Sequence, residues 1–481
     1  MSANNQAAQA VHNWWSNHSE YYRDAFVYDY QSIWRGVEPP DEEIYWRCYY
    51  RALTCFLRTD PESIIDRRKL LYSYVKSEYK TEHAHDTLNR YRKQLPVDST
   101  VRRVVRNICT AYDAVPDRMF SDDERVQTVM DDLYSQLNMA TRAQRIYHRA
   151  RLTGMVAARP VYRAGKWYLD FMTPDEFMLT ADPDDDRSIT AFTYARSSNE
   201  GIEYVTWTAD NIITRGYNGK EKRVDENPYK RIPYAILRLA DDDGVYTGGM
   251  FELVESQLDV NKTKWQATVN VTFAGSPVWV ATNFPDGDIV ISPDRVIVAR
   301  GVTLGEGQDV PPQLDAVTPE SAYEAIQDHA TNRERQMQMA EGIPLSMLTE
   351  QGNPPSGVAR MIERMELTEM RYSDQRHLRS WEKELAKLTA LVADTDAGVA
   401  INPDSVDVDV SYQDEPVTMD VKEEYELDKM KLADLTMSAD EFYQKWAGVS
   451  DITEELPKRR AKLTLIGGAV STPQPPATDP E

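Results

Sequence analysis

The strongest structural signal in the sequence is the segment GGMFELVESQLDVNKTKWQATVNVTF, which runs from Gly248 to Phe273. Its apolar residues recur mostly four positions apart, with Asn261 in the one wide gap: Met250, Val254, Leu258, Trp265, Val269 and Phe273. Because an α-helix repeats every 3.6 residues, this spacing predicts one amphipathic helix of about 24 residues and roughly 36 Å.

A second helix of matched length is predicted further along the chain. Thr318 is its expected N-cap, and Pro319 follows in the first turn, where proline is tolerated. Between the two helices, the runs 276–282 and 288–300 are rich in Val and Ile and flank a Pro-Asp-Gly turn at 285–287. We therefore expect two matched helices that carry a small β tip.

After the second helix, a segment rich in Gly and Pro from Gly342 to Gly357 cannot continue a helix. A third helix is predicted to start near Gly357 and to reach Val392, which is about 36 residues and roughly 54 Å. A strand at 406–412 and short helices within 417–465 complete the predicted C-terminal part. The proline-rich tail that follows is expected to be disordered.

Upstream, the aromatic-rich start, the segment 45–91 and the segment 133–152 are predicted to be helical, with the last helix ending near Gly154. The section 157–239 instead shows short alternating runs typical of strands. The clearest of these runs are 167–171, 189–196, 203–208 and 211–215. The acidic turn with Asp182, Asp184 and Asp186 is interpreted as solvated and not as a calcium loop, because Arg187 stands where a calcium loop needs glycine.

The composition favours a globular protein and argues against several functions. The 481 residues are 41% hydrophobic and 28% charged, and the net charge of −23 argues against tight binding of nucleic acid through phosphate neutralisation. No apolar run is long enough to span a membrane, and Met1 to Ala10 lacks the basic and then apolar pattern of a signal peptide, so we expect a cytoplasm-like compartment. The three cysteines, Cys48, Cys55 and Cys109, are predicted to be buried reduced thiols.

No cofactor, metal centre or enzyme activity is predicted. The seven histidines form no ligand pattern, and the chain contains no phosphate-binding P-loop, no GxSxG elbow and no GxGxxG turn. We therefore expect that the chain does not hydrolyse ATP.

Several short motifs carry a family resemblance. Asn227-Pro228-Tyr229 and Ile232-Pro233 precede the first long helix, Gly342-Ile343-Pro344 follows the second, and Ser356-Gly357-Val358-Ala359 opens the third. Together with the order of elements from Asn227 to Val392, they resemble the portal proteins, or head-to-tail connectors, of tailed bacteriophages. The resemblance implies an α+β, mainly helical fold with an α/β wing, a two-helix stem, a small β clip and a helical crown.

Domain boundaries follow from the same resemblance. They are the first part of the wing at 1–247, a stem helix at 248–273, the clip at 274–317, a second stem helix at 318–341, a tunnel loop at 342–356, a helix and strand returning to the wing at 357–412, the crown at 413–468 and a disordered tail at 469–481.

The resemblance also implies a function. Portal proteins form a ring, usually of twelve subunits, at one capsid vertex of the virion, and double-stranded DNA passes through the ring during packaging and ejection. Implied partners are other copies of the chain, the terminase motor, the major capsid or scaffolding protein, and a head-completion or tail adaptor protein. Assembly would take place in the host cytoplasm, without a membrane partner.

Two groups of residues are candidates for the DNA channel. The tunnel loop consists of Ile343, Pro344, Leu345, Ser346, Met347, Leu348, Thr349, Glu350, Gln351 and Asn353. Because it contains no Lys or Arg, we expect it to touch DNA without gripping it. The second group consists of possible channel or intersubunit charges, namely Lys262, Lys264, Arg333 and Arg335, although intrahelical pairs with neighbouring glutamates are an open alternative.

Three other hypotheses stay open at this point. The long helices could pair inside a monomeric bundle, because periodicity alone does not reveal a ring. The chain could also be a virion adaptor or scaffolding protein that binds only proteins, or an unrecognised nuclease.

Overall fold

The computed structural model describes residues 23–27, 29, 41–78, 82–199, 201–239, 245–246, 248–274, 278–282, 302–304, 308–310, 313–317, 322–343, 357–413, 425 and 428–429. The chain divides into two compact units, one of residues 1–348 and 366–414 and the other of residues 349–365 and 415–481. Most of the described residues belong to the first unit. The predicted crown helices and the C-terminal tail lie outside the described residues, apart from three isolated positions.

Helices form the N-terminal part of the first unit. They are α1 (Asp41–Leu57), α2 (Pro61–Glu78), α3 (Glu82–Tyr91), α4 (Val101–Ile108), α5 (Glu124–Gln136) and α6 (Met139–Thr153). The predicted helical segment 45–91 is thereby confirmed as three helices. The single helix predicted over 133–152 is wrong, because Asn138 adopts a left-handed conformation with φ of 54° and separates α5 from α6. Gly154, with φ of 82°, ends α6 as predicted.

Two antiparallel sheets follow the helices. The first has the order β3-β2-β9, and the second has the sequential order β4-β5-β6-β7-β8. Their strands are β2 (Met155–Arg163), β3 (Lys166–Met172), β4 (Phe177–Asp182), β5 (Asp185–Ser198), β6 (Gly201–Trp207), β7 (Asn211–Gly216), β8 (Glu221–Glu226) and β9 (Ala235–Arg238). The four predicted strands correspond to β3, β5, β6 and β7, and the other four were missed. The acidic turn joins β4 to β5, and no cluster of possible metal ligands occurs among the described residues.

The first long helix is confirmed as α7 (Phe251–Ala274). Its partner α8 (Tyr323–Ala340) begins after Ala322 and not at Thr318, so it has 18 residues and spans roughly 27 Å. The prediction of equal lengths is therefore wrong. The backbone N–H of Ala322 donates to Asn270 Oδ1 at 3.1 Å, so the neighbouring helix supplies a hydrogen-bond acceptor at this end.

Short strands lie between α7 and α8 in sequence. β10 (Val278–Thr282) pairs antiparallel with β13 (Gln313–Val317), and β11 (Val302–Leu304) pairs with β12 (Gln308–Val310). β10 confirms the first predicted run, whereas the second run, 288–300, lies outside the described residues. The sequence reasoning missed the strand that actually pairs with β10.

The third long helix is α9 (Gly357–Asp396), which starts at the predicted residue and has 40 residues. After it, β14 (Asp409–Ser411) pairs with β1 (Asp117–Met119) and occupies part of the predicted strand. The core of the first unit includes the apolar side chains of α9 from Leu378 to Val392 and all three cysteines, which are buried and free as predicted. None of the described helices is long and apolar enough to cross a membrane. The fold is α+β, as expected.

Candidate functional site

Helices α7 and α8 pack side by side and run antiparallel, and we refer to them as the helix pair. Lys264 of α7 contacts Glu334 of α8, with 2.7 Å between Nζ and Oε1. The two helices are buried to different degrees. Nine side chains of α7 are buried: Leu253, Val254, Gln257, Leu258, Val260, Asn261, Thr263, Trp265 and Ala267. On α8 only Ala330, Met337 and Gln338 are buried, so most of its surface faces solvent.

A buried polar network fixes α7 to the segment that leads into α4. The backbone N–H of Thr100 donates to Gln257 Oε1 at 2.6 Å, and Gln257 Nε2 donates to Asn261 Oδ1 at 3.1 Å. Asn261 Nδ2 in turn donates to the carbonyl of Asp98 at 3.1 Å. Gln257 and Asn261 are almost fully buried, and these bonds offset the cost of removing their amides from water. The position of Asn261 in an apolar stripe is thereby explained.

Lys264 extends this network to α8. Its ammonium lies 3.1 Å from Asp98 Oδ2 and 2.7 Å from Glu334 Oε1, and Thr100 Oγ1 donates to the same glutamate oxygen at 3.3 Å. Partial burial alone would lower the pKa of Lys264, but the hydrogen bonds to Glu334 and Asp98 raise it above its usual value. Lys264 therefore holds three parts of the chain together as a permanent cation.

Lys262 has an equivalent role on the neighbouring face of α7. Its ammonium is 2.9 Å from Glu78 at the end of α2 and 3.0 Å from Asp259 one turn earlier. Tyr74 donates its hydroxyl hydrogen to Asp259 at 2.7 Å, and its ring lies under Lys262. Of the four predicted charges, Lys262 and Lys264 are thus engaged in pairs within one chain. A channel or intersubunit role for them stays a prediction.

Arg333 and Arg335 are exposed on α8, and among the described residues no ion pair involves either of them. Arg333 and His329 line a groove of 420 Å³ between the two helices, and Lys262 lines the opposite side. The structure therefore brings Lys262 and Arg333 to one groove, whereas Lys264 and Arg335 are not among its lining residues.

The helix pair ends at Gly342, which has φ of 75°. The N–H of Gly342 donates to the carbonyl of Met339 at 3.0 Å, and the N–H of Ile343 donates to that of Gln338 at 3.2 Å. These two bonds are those of a Schellman motif, and Ile343 is buried with Met337 in the core. Ile343 is therefore a buried helix stop and not an exposed loop residue. The other predicted loop residues, Pro344, Leu345, Ser346, Met347, Leu348, Thr349, Glu350, Gln351 and Asn353, lie outside the described residues.

Comparisons with known proteins identify the family. The model of the family described as phage portal protein, SPP1 Gp6-like, matches residues 59–461, which is most of the chain. The chain belongs to this portal family. No curated protein matches it.

Among solved structures, this portal-family chain is similar to a chain in the virion of a native gene transfer agent particle, with 12% identity, coverage of 79% of this chain and 98% of that chain, and a TM-score of 0.41. It is also similar to a chain in the neck of the empty particle, with 13% identity, 74% and 90% coverage and a TM-score of 0.42. A third similar chain lies in the neck of the native particle computed with C12 symmetry, with 13% identity, 74% and 92% coverage and a TM-score of 0.39.

Two ion pairs with buried carboxylates hold α9 of this portal-family chain against the N-terminal part of the first unit, and the sequence reasoning missed both. Arg118 Nε lies 2.6 Å from Glu382, which also accepts the hydroxyl hydrogen of Tyr112. Arg151 lies 2.9 Å from Asp374. The partners are more than 220 positions apart in sequence, so no local pattern could have connected them.

Proposed function

We propose that this portal-family chain is one subunit of a ring-shaped channel at a single capsid vertex, through which double-stranded DNA is packaged and ejected. The family match across residues 59–461 carries this proposal, because it includes the helix pair, the strands between its helices and the start of the C-terminal part. We further propose a ring of twelve subunits, in line with the C12 symmetry of one similar neck structure.

The exposed surface of α8 suits a contact with the next subunit. A closed ring needs a heterologous interface, in which two different surfaces of one chain meet on neighbouring copies. Most of α8 is exposed to solvent, and Tyr323 and Met339 near its two ends are large exposed side chains, 42% and 49% accessible. Aromatic residues and Met are enriched in protein interfaces.

Weak contact with DNA is part of the proposal. Each basic residue that neutralises a phosphate adds affinity that a moving duplex must break again. The tunnel-loop segment 343–353 has no Lys or Arg, and Lys262 and Lys264 are held by acidic partners, so Arg333 and Arg335 are the basic side chains of the helix pair that could reach a phosphate.

The finer assignments are part of the same proposal. Residues 248–273 and 318–341 would form the stem, 274–317 the clip, 1–247 and 357–412 the wing, and 413–468 the crown. The ring would dock the terminase during packaging and a head-completion or tail adaptor protein afterwards, within a capsid of major capsid or scaffolding protein. Energy for packaging would come from the separate motor.

Electron microscopy of negatively stained protein and native mass measurement test the ring directly. We expect closed rings, and a chain that stays monomeric under every assembly condition would refute the proposal. A charge-reversal pair then tests the contact surface. Arg333→Glu with Arg335→Glu should leave the monomer folded but impair ring assembly or DNA packaging, because both side chains are exposed and lack acidic partners in the described part of the chain.

Two comparisons make this variant informative. Lys262→Glu with Lys264→Glu should instead lower the stability of the monomer, because four acidic partners would then face negative charges. Arg125→Glu with Arg163→Glu changes the same charge at exposed positions on other elements and serves as the matched control. If the α8 variant assembles and packages DNA as well as this control does, Arg333 and Arg335 do not make the proposed contact, and the alternative of an adaptor that binds only proteins is favoured.

A further inference from the structure

A cavity of 500 Å³ in the first unit is lined by an unusual number of cations, and we call it the arginine cavity. It lies where the end of α1 meets α4, α6 and β3. Its charged lining residues are Arg58, Arg102, Arg106, Arg145 and Arg149, with His148 beside them. Asp60 is the one acidic residue among the described lining residues. This local excess of positive charge contrasts with the net charge of −23 for the whole chain.

Helix geometry concentrates these cations. Arg102 and Arg106 are one turn apart on α4, and Arg145 and Arg149 are one turn apart on α6, which packs against α4. Residues four apart lie on the same face of a helix, and like charges at that spacing destabilise it. Solvent weakens this repulsion, because Arg102, Arg106 and Arg145 are exposed, and the arrangement leaves four cations on neighbouring faces of α4 and α6.

Three of the arginines have no acidic partner in the described parts of the chain. Arg58 is paired with Asp60 at 2.8 Å, and Arg149 lies over the ring of Phe171. In the part of the chain that the structure describes, no ion pair or hydrogen bond is found for the side chains of Arg102, Arg106 or Arg145.

An unsatisfied buried atom also points to a ligand. The Nε2 atom of His148 is buried in the lining of the cavity, and no hydrogen-bond partner for it is found among the described residues. Burial and the nearby charge of Arg106 lower the pKa of His148 to about 4, so the ring is neutral at pH 7. Buried polar atoms normally have a partner, and either the O–H of a singly protonated phosphate would donate to Nε2 or a bound phosphate would stabilise a proton on it.

We propose that the arginine cavity binds a phosphate group, either as free phosphate or as part of a polynucleotide backbone. Guanidinium groups match phosphate oxygens in two-pronged hydrogen bonds, which makes Arg the preferred residue for this anion. The cavity is larger than one phosphate needs, and Leu57, Val105 and Phe171 give it an apolar lining that could take an attached sugar. The site lies within one chain, so its binding does not depend on ring formation.

The test uses the full chain with two probes, inorganic phosphate and a fluorescently labelled 20-base-pair duplex. The variant is Arg102→Gln with Arg106→Gln and Arg145→Gln. The matched control is Arg90→Gln with Arg125→Gln and Arg163→Gln, three exposed arginines that do not line the cavity. Phosphate is compared with chloride at constant ionic strength by thermal unfolding, and duplex binding is followed by fluorescence anisotropy across a salt titration.

We expect phosphate to raise the melting temperature of the wild type and of the control, but not of the cavity variant. If the ligand is a polynucleotide, the slope of log affinity against log salt should become smaller in magnitude by about 0.9 in the cavity variant, because the contact with one phosphate is lost. If the ligand is free phosphate, duplex binding should be the same in the wild type, the control and the cavity variant. Only the cavity variant should lose the rise in melting temperature with phosphate.

Two results would overturn the proposal. One is that the cavity variant and the control behave alike with both probes. The other is that polyglutamate removes the phosphate effect at equal charge concentration, because the cavity would then bind any anion.

A second variant guards against misfolding: Arg102→Lys with Arg106→Lys and Arg145→Lys keeps the charge, so it should keep the salt slope but weaken the response to free phosphate. Failure to form rings would refute the proposed function without affecting this result.

Discussion

Replacing Glu382 by Gln should be among the most destabilising conservative changes in this chain. The carboxylate of Glu382 is fully buried and accepts hydrogen bonds from Arg118 Nε at 2.6 Å, from a second guanidinium nitrogen at 2.9 Å and from Tyr112 Oη at 2.7 Å. Burial alone would lower the pKa of Arg118, but the hydrogen bond and charge of Glu382 raise it. Arg118 stays charged even when its partner becomes neutral, because the intrinsic pKa of a guanidinium lies far above physiological pH.

The cost follows from the uncompensated charge. Removing one partner of a buried ion pair typically costs about 3–5 kcal/mol, because the remaining ion is left without water or a counter-charge. Glu384, two residues along the same helix, provides the matched control, since its pair with Arg231 at 3.1 Å is 41% and 44% exposed. Glu384→Gln should cost at most about 1 kcal/mol.

Urea unfolding of the two variants and the wild type, followed by circular dichroism, measures this difference. The first cooperative transition is the one to compare, because a chain of this size need not unfold in a single step. Arg118→Met combined with Glu382→Leu should be less destabilised than Glu382→Gln, since it removes both charges together. Equal midpoints for the Glu382 and Glu384 variants would refute the reasoning.

Two further predictions concern single positions. Gly342→Ala should destabilise the end of α8 by about 1 kcal/mol, because φ is 75° and a Cβ would lie 3.3 Å from Glu366 Cδ. Gly342→Asn should cost less, because Asn tolerates the left-handed conformation better. Hydrogen exchange at the amide of Ile343 would detect the difference, and equal protection in both variants would contradict it. His148 has a folded-state pKa of about 4, below its ordinary 6.5, so the unfolded chain binds the extra proton first and stability should fall as the pH drops from about 6.5 to 4. His148→Gln should show a smaller loss over that range than the wild type when melting temperatures are compared, and identical pH profiles would show that His148 does not contribute.

Long periodic segments were predictable from the sequence. The positions of α7 and of the body of α9 followed from apolar spacing that extends over many turns, and the start of α9 at Gly357 followed from the end of the Gly- and Pro-rich segment. Boundaries set by tertiary contacts were not predictable. The start of α8 was placed at Thr318, whereas the N–H of Ala322 is bonded to Asn270, a residue 52 positions earlier.

The candidate site was predicted less well, for two physical reasons. The ion-pair partners of Lys262 and Lys264 include Glu78 and Asp98, which lie more than 160 positions away and carry no local signal. The arginine cavity was also missed, because Arg102, Arg106 and Arg145 look like ordinary exposed charges on two separate helices. Only the packing of α4 against α6 places them around one cavity.

Asn261 shows that some long-range contacts do leave a trace in the sequence. An amide in the apolar stripe of a helix must either face water or find a buried partner, because burying it unpaired costs more than the helix gains there. Gln257, one turn earlier, is a second amide on the same face, and together they bind Asp98 and Thr100. A pair of amides four residues apart on an otherwise apolar face therefore indicates a backbone segment bound at that level of the helix. Here the segment with Asp98 and Thr100 fixes α7 to the rest of the first unit, whereas α8 stays mostly exposed.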